Sequence, residues 1–184
     1  MINKNFMITQ DDVLSQEDCN EIISFFKNHT TPGEVDYLNY EFCDVERSPL
    51  MESISRKIIP VIQKYKEMYK EVTLTASTWN LNAMRFKHFK PGYAFDTWHS
   101  ENSITKPNRI LAIQIYLSNH NCGTEFYNGD YVQSKIGRVV IFPAYFTHTH
   151  RGQKCPDNKD RYILTGYYNY INAGKLEYNY KKGK

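Results

Sequence analysis

His99-Ser-Glu101, then His148-Thr-His150, then Arg161 are the residues of this chain whose types and spacing suit chemistry. Two imidazoles and one carboxylate form a facial set that binds iron(II) and leaves three coordination positions for a co-substrate and oxygen. His99 and Glu101 stand at i and i+2, so a strand would present both to one metal. Alone, such a pair carries little weight, because 6 histidines and 20 acids produce solvated His-x-Glu pairs by chance. His148 and His150 follow Arg138-Val-Val-Ile-Phe-Pro143, a run apolar enough to read as a buried strand. At least one of these imidazoles is expected to face the same cavity, and on a strand the two would share a face, so both stay candidates. Arg161 opens a later β-rich run, where its guanidinium can fork onto a buried carboxylate. Tyr116 and Thr165 could add hydroxyl donors to that carboxylate. The plainer readings are an arginine solvated at a strand end and hydroxyls satisfied within a core.

The elements that must hold these residues are readable from periodicity. Ser15 before Gln16-Glu17-Asp18 predicts a helix N-cap, and Cys19, Ile22, Ile23 and Phe26 then recur at helical spacing, giving a helix over about 15–28. Leu50, Ile54, Ile58, Ile59, Ile62 and Tyr65 mark one face of a second helix over about 48–69, with Pro60 as its weak point. From residue 72 onward the texture changes to short β-rich runs broken by Gly, Pro and Asn: VTLTASTW, LNAMRFKHF, AFDTWHSE, RILAIQIYLS, GTEFY, YVQSKI, RVVIFP and RYILTGYYNYI. Two helices ahead of about eight strands predict an α+β fold, a jelly roll with helices supporting one face. No repeat or linker divides residues 1–184, so one domain is expected, helical to about 70 with a jelly-roll core from about 72 to 173.

A net charge of +3 is too mild to suggest nucleic acid or an anionic membrane, and the basic residues near 181–184 read as a solvated tail. Four scattered cysteines, Cys19, Cys43, Cys122 and Cys155, suggest neither a zinc knuckle nor a disulfide framework, which fits a reducing compartment. Without a basic-then-apolar N-terminal stretch or a membrane-length apolar run, a soluble, cytoplasmic protein is expected, its oligomeric state open.

The order of parts resembles the iron(II)- and 2-oxoglutarate-dependent dioxygenases, within them the prolyl 4-hydroxylase-like branch, over most of the chain. The opening DDVLSQEDCNEII is similar to that branch's N-terminal helix, and FKPGYAFDTWHSEN to its Tyr-x-Pro-Gly stretch leading into His-x-Asp. NRILAIQIYLSN, CGTEFYNG, SKIGRVVIFPAYFTHTHRG and DRYILTGYYNY follow in the family's order.

The resemblance implies His99, Glu101 and His150 as metal ligands, with Glu in place of the usual Asp, and His150 preferred over His148 by its spacing to Arg161. It implies Arg161, Tyr116 and Thr165 as the clamp for the 5-carboxylate of 2-oxoglutarate, and places Phe89 where many relatives have a hydrogen-bonding Tyr. Iron(II), 2-oxoglutarate, oxygen and ascorbate as reductant would be its small-molecule partners. The implied activity is hydroxylation of an unactivated C–H bond, foremost of a prolyl residue in a peptide or protein. Another amino-acid residue, a small metabolite, or a non-catalytic metal- or ligand-binding module are the alternatives. Trp98, Phe126 and Tyr127 could wall the site, and residues 28–48 and 99–109 would flank its mouth, the first rich in Tyr, Asp and Glu (Glu34, Asp36, Tyr37, Tyr40, Glu41, Asp44).

Overall fold

The computed structural model describes residues 4–32, 40–45, 48–74 and 79–171. Helix α1 (Gln16–Phe26) starts at the predicted cap. The Ser15 hydroxyl accepts from the Asp18 N–H, and the Asp18 carboxylate accepts from the Ser15 N–H, a reciprocal capping box. Helix α2 (Pro49–Met68) begins with proline in its first turn behind the Ser48 cap. It runs unbroken through Pro60, which lies on the exposed side beside exposed Arg56, so water can satisfy the carbonyl that the ring leaves unbonded.

Among the described residues seven strands form the larger sheet: β1 (Ile8–Gln10), β2 (Thr31–Pro32), β3 (Glu41–Val45), β4 (Trp79–Phe89), β5 (Arg109–Tyr116), β8 (Val139–Pro143) and β10 (Arg161–Tyr170). Its order is β1-β8-β5-β10-β4-β3-β2, and every pairing in it is antiparallel. A smaller sheet, β7-β6-β9, combines β6 (Gly123–Phe126), β7 (Tyr131–Gln133) and β9 (His150–Gly152). The described residues thus form a jelly roll of two sheets with two α-helices, an α+β fold.

Side-chain alternation sorts the larger sheet into two faces. Leu111, Ile113 and Ile115 of β5 join Val139 and Ile141 of β8 in one cluster with Ile22 of α1 and Ile54, Ile58 and Tyr65 of α2. Each such side chain contributes roughly 1.5–3 kcal/mol by its burial, so the helices are welded to this face. Ala112 and Tyr116, Val140 and Phe142, and Ile163 face the other way, toward Phe126 and Val132 of the smaller sheet. Between the sheets, therefore, lie the residues one step out of phase with the helix-facing ones, and the polar members of that set make the site.

Several sequence expectations are corrected. Residues 94–101 are not a strand: His99 makes one isolated bridge to His150, through reciprocal N–H to carbonyl bonds of 3.0 and 2.9 Å. The run over 72–79 gives a 3-10 turn at Lys70–Leu74, with strand starting only at Trp79 and residues 75–78 outside those described. The predicted helical part contributes β1 and β3 as well. Both are too short for their periodicity to show, and they form because β8 and β4 offer sheet edges, as in the pairs Ile8↔Ile141 and Cys43↔Phe86. Among the described residues no helix is long and apolar enough to cross a membrane.

The cysteine expectation also fails, because Cys122 and Cys155 form a disulfide with Cα atoms 4.9 Å apart. They lie 33 residues apart in sequence, but the pairing of β6 with β9, Thr124 opposite Gly152, brings their segments together. Closing a loop of that length is worth about 3–4 kcal/mol in chain entropy. Cys155→Ser is accordingly expected to lower the urea midpoint of the oxidised protein and leave it unchanged in strong thiol reductant. Equal midpoints under oxidising conditions would show that the bond adds no stability.

Candidate active site

His99 reaches the cavity from an extended loop, Glu101 from the turn after it, and His150 from the start of β9. One donor atom of each lies within 4.8 Å of the others, and Nε2 of either histidine is 3.7 Å from Glu101 Oε1. Each imidazole has its other nitrogen tied to backbone: His99 Nδ1 stands 2.8 Å from the Thr97 carbonyl and His150 Nδ1 2.9 Å from the His148 carbonyl. A carbonyl can only accept, so Nδ1 carries the proton and the Nε2 lone pair is left for a metal. Burial pushes the Glu101 carboxyl up, yet the His150 and His99 rings facing it outweigh this and hold it well below the usual carboxylate range. A carboxylate oxygen and two imidazole nitrogens converge on one point. Phe95 stands edge-on to His99 and Phe142 edge-on to His150, keeping both rings oriented.

His148 takes no part in this group. Its Nε2 bonds the Asn5 carbonyl at 2.7 Å and its Nδ1 faces the Thr147 hydroxyl at 3.0 Å. It closes a 3-10 turn, Phe146–His148, so the strand alternation that would have put both imidazoles on one face does not apply.

Deeper in, Arg161 is 2 % exposed, at the start of β10. Its Nη1 reaches Cys122 Sγ and the Gln153 carbonyl, both at 3.2 Å, while Nε and Nη2 are buried without a partner. Burial pulls its pKa down to about 10, which leaves it cationic at neutral pH. The Thr165 hydroxyl, four residues on and also lining the cavity, is buried and unpartnered too. Leaving such donors unmade costs about 1–3 kcal/mol apiece, more when charged, so this is a pocket shaped for an anion. Phe89, directly opposite Arg161 in register, supplies a ring face 4.5 Å from the guanidinium where a tyrosine would have offered a hydroxyl. A Cβ at Gly152 would crowd the Phe95 carbonyl at 3.3 Å and touch Arg161 Nη2 at an ordinary contact distance of 3.6 Å.

Tyr116 lies on the inner face but turns its hydroxyl to Thr124 Oγ1 at 2.8 Å and does not line the cavity. Gln114, two residues before it, does line the cavity, with Thr124 and Lys87. Sequence reasoning missed these three; the inward phase of each strand, counted in twos from Tyr116 and Phe89, would have found Gln114 and Lys87. Of the suggested wall, Phe126 packs against His150, whereas Trp98 and Tyr127 stack edge to face outside, with Arg151 over Trp98. Of the expected acidic mouth, Tyr40 is buried against Phe89, Glu41 pairs with Lys90 and Asp44 with Arg85. Glu34, Asp36 and Tyr37 lie outside the described residues.

Among the described residues a second group, His120, Cys155 and Asp157, has metal-ligand composition. Its atoms are already committed: His120 bonds Ser118 and Asp157, and Cys155 is in the disulfide.

No family model matches the sequence, and no curated protein matches it. Solved structures do. A viral collagen prolyl hydroxylase from Paramecium bursaria Chlorella virus-1, in complex with 2-oxoglutarate, superposes with a TM-score of 0.68 at 17% identity, covering 92% of this chain and 98% of that one. A Pseudomonas putida prolyl-4-hydroxylase gives 0.67 at 12% identity over 91% and 94%. A Trichoplax adhaerens prolyl hydroxylase, in complex with a hypoxia inducible factor oxygen degradation domain peptide fragment, gives 0.68 at 12% identity over 91% and 85%. The two-sheet core with its supporting helices is therefore the fold of these prolyl hydroxylases.

Proposed function

We propose that this protein is an iron(II)- and 2-oxoglutarate-dependent dioxygenase, with a prolyl residue of a peptide or protein as its substrate. One observation carries the reading: a His-Glu-His group whose two Nε2 atoms converge on one Glu101 oxygen lies in the same cavity as a buried arginine with two unpartnered nitrogens. A metal ion suits the first and a dicarboxylate the second. His99, Glu101 and His150 would hold iron(II), which, when bound, supplies oxygen activation coupled to decarboxylation of 2-oxoglutarate to succinate. Arg161 and Thr165 would hold the distal carboxylate, Gln114 and Thr124 line its path, and Phe95 and Ile163 help to keep water out. The likeness to structures solved with 2-oxoglutarate and with a peptide supports the co-substrate and the substrate class.

The test is succinate release from 2-oxoglutarate after anaerobic loading with iron(II) and admission of oxygen, with ascorbate present, with and without proline-rich peptides. Release stimulated by peptide and lost in His99→Ala is expected. Unstimulated release would move the substrate to another residue or a small metabolite, and iron binding with no release under any condition would leave the non-catalytic reading.

A further inference from the structure

We propose that Arg109 is a positioning residue for the metal centre, holding Glu101 as a one-oxygen ligand; this rests on the proposed function above. Glutamate has three rotatable bonds and two equivalent carboxylate oxygens, so it does not by itself choose which oxygen meets a metal, or how many. Here the choice is made before any metal arrives. Arg109, the first residue of β5, donates from Nη1 to Glu101 Oε2 at 3.1 Å and to the Glu101 backbone carbonyl at 3.2 Å. One guanidinium nitrogen thus binds both the tip and the root of the same residue. The guanidinium carbon lies over the Tyr167 ring, 3.4 Å from its centroid, and Tyr167 is itself set by pairing with Ala112 in the β5–β10 ladder. The loop from 101 to 109 is closed independently by Asn102, whose side-chain amide donates to the carbonyls of Pro107 and Arg109 at 3.0 and 2.8 Å.

With Oε2 occupied by Arg109, Oε1 is the oxygen that faces His99 and His150. The arginine also supplies a counter-charge to a carboxylate whose side chain is only 11 % exposed. An aspartate at 101 would be one methylene shorter, so the glutamate and the arginine work as a pair. The chemistry that Arg109 serves is divalent-metal affinity and carboxylate denticity.

The experiment is cobalt(II) titration, followed by calorimetry and by the visible absorption of the bound ion, on the full chain and its variants. Loss of a partner that orients a metal ligand costs about 10- to 100-fold in affinity. Arg109→Met is expected to weaken cobalt(II) binding by that factor and to change the absorption bands as the freed carboxylate becomes bidentate. Arg109→Lys keeps the charge without the planar group over Tyr167 and should recover part of the loss. In a Glu101→Asp background, Arg109→Met should cost less than about threefold more. The proposal is overturned if Arg109→Met binds cobalt(II) as wild type does, or loses the same factor in the Glu101→Asp background, which would mark a general effect on the fold. Wild-type protein that binds no divalent metal would overturn the proposed function itself.

Discussion

His150→Ala is expected to abolish metal-dependent turnover while the protein keeps its melting temperature within a few degrees. An alanine there removes one of three donor atoms, so the loss of iron(II) affinity should exceed the roughly 10- to 100-fold that follows loss of an orienting partner. The fold should survive because β9 is held by main-chain pairing, Phe126 with His150 and Thr124 with Gly152, which an alanine does not disturb. The variant keeps the His150 N–H to His99 carbonyl bond as well, so the loop that carries His99 stays docked. Metal content after dialysis and succinate release measure the effect together. His148→Ala serves as the contrast: it loses bonds to Asn5 and Thr147 and is expected to cost stability while leaving bound metal unchanged. If instead the His148 variant loses the metal and the His150 variant keeps it, the ligand assignment is wrong.

Arg161→Met is expected to raise the 2-oxoglutarate concentration for half-saturation by roughly 30-fold to a few thousand-fold, the range that corresponds to breaking a buried, hydrogen-bonded charge pair at 2–5 kcal/mol. Metal affinity in the absence of 2-oxoglutarate should barely move, which separates this variant from the histidine one. The same substitution should not destabilise the protein. In the absence of a ligand the guanidinium is buried with two nitrogens unsatisfied, so methionine removes a desolvated cation and retains comparable volume against Phe89. A binding loss with an unchanged or raised melting temperature would identify Arg161 as a residue kept for its ligand at a cost to stability. Unchanged half-saturation would remove the anion pocket from the proposal.

How the fold and the site were legible differs residue by residue. The cap at Ser15, the apolar stripe of α2 and the buried runs of β5, β8 and β10 were readable because their signals are local: a hydroxyl three residues before a carboxylate, or apolar side chains at spacings set by one element. β1 and β3 were not, since three to five residues show no period and become strands only where a neighbour offers its edge. The loop carrying His99 read as a strand because extended backbone and sheet share a sequence texture.

By itself the sequence determined the α+β class, the helix-facing core and the ordered set His99, Glu101, His148, His150 and Arg161, because side-chain type and periodicity are written along the chain. Tertiary structure alone brought His150 rather than His148 beside His99 and Glu101, turned the Tyr116 hydroxyl toward Thr124, joined Cys122 to Cys155, and set Arg109 against Glu101. Each of these depends on register between strands and on which hydrogen-bond partner arrives from a distant segment, and both come from the packing of the whole molecule.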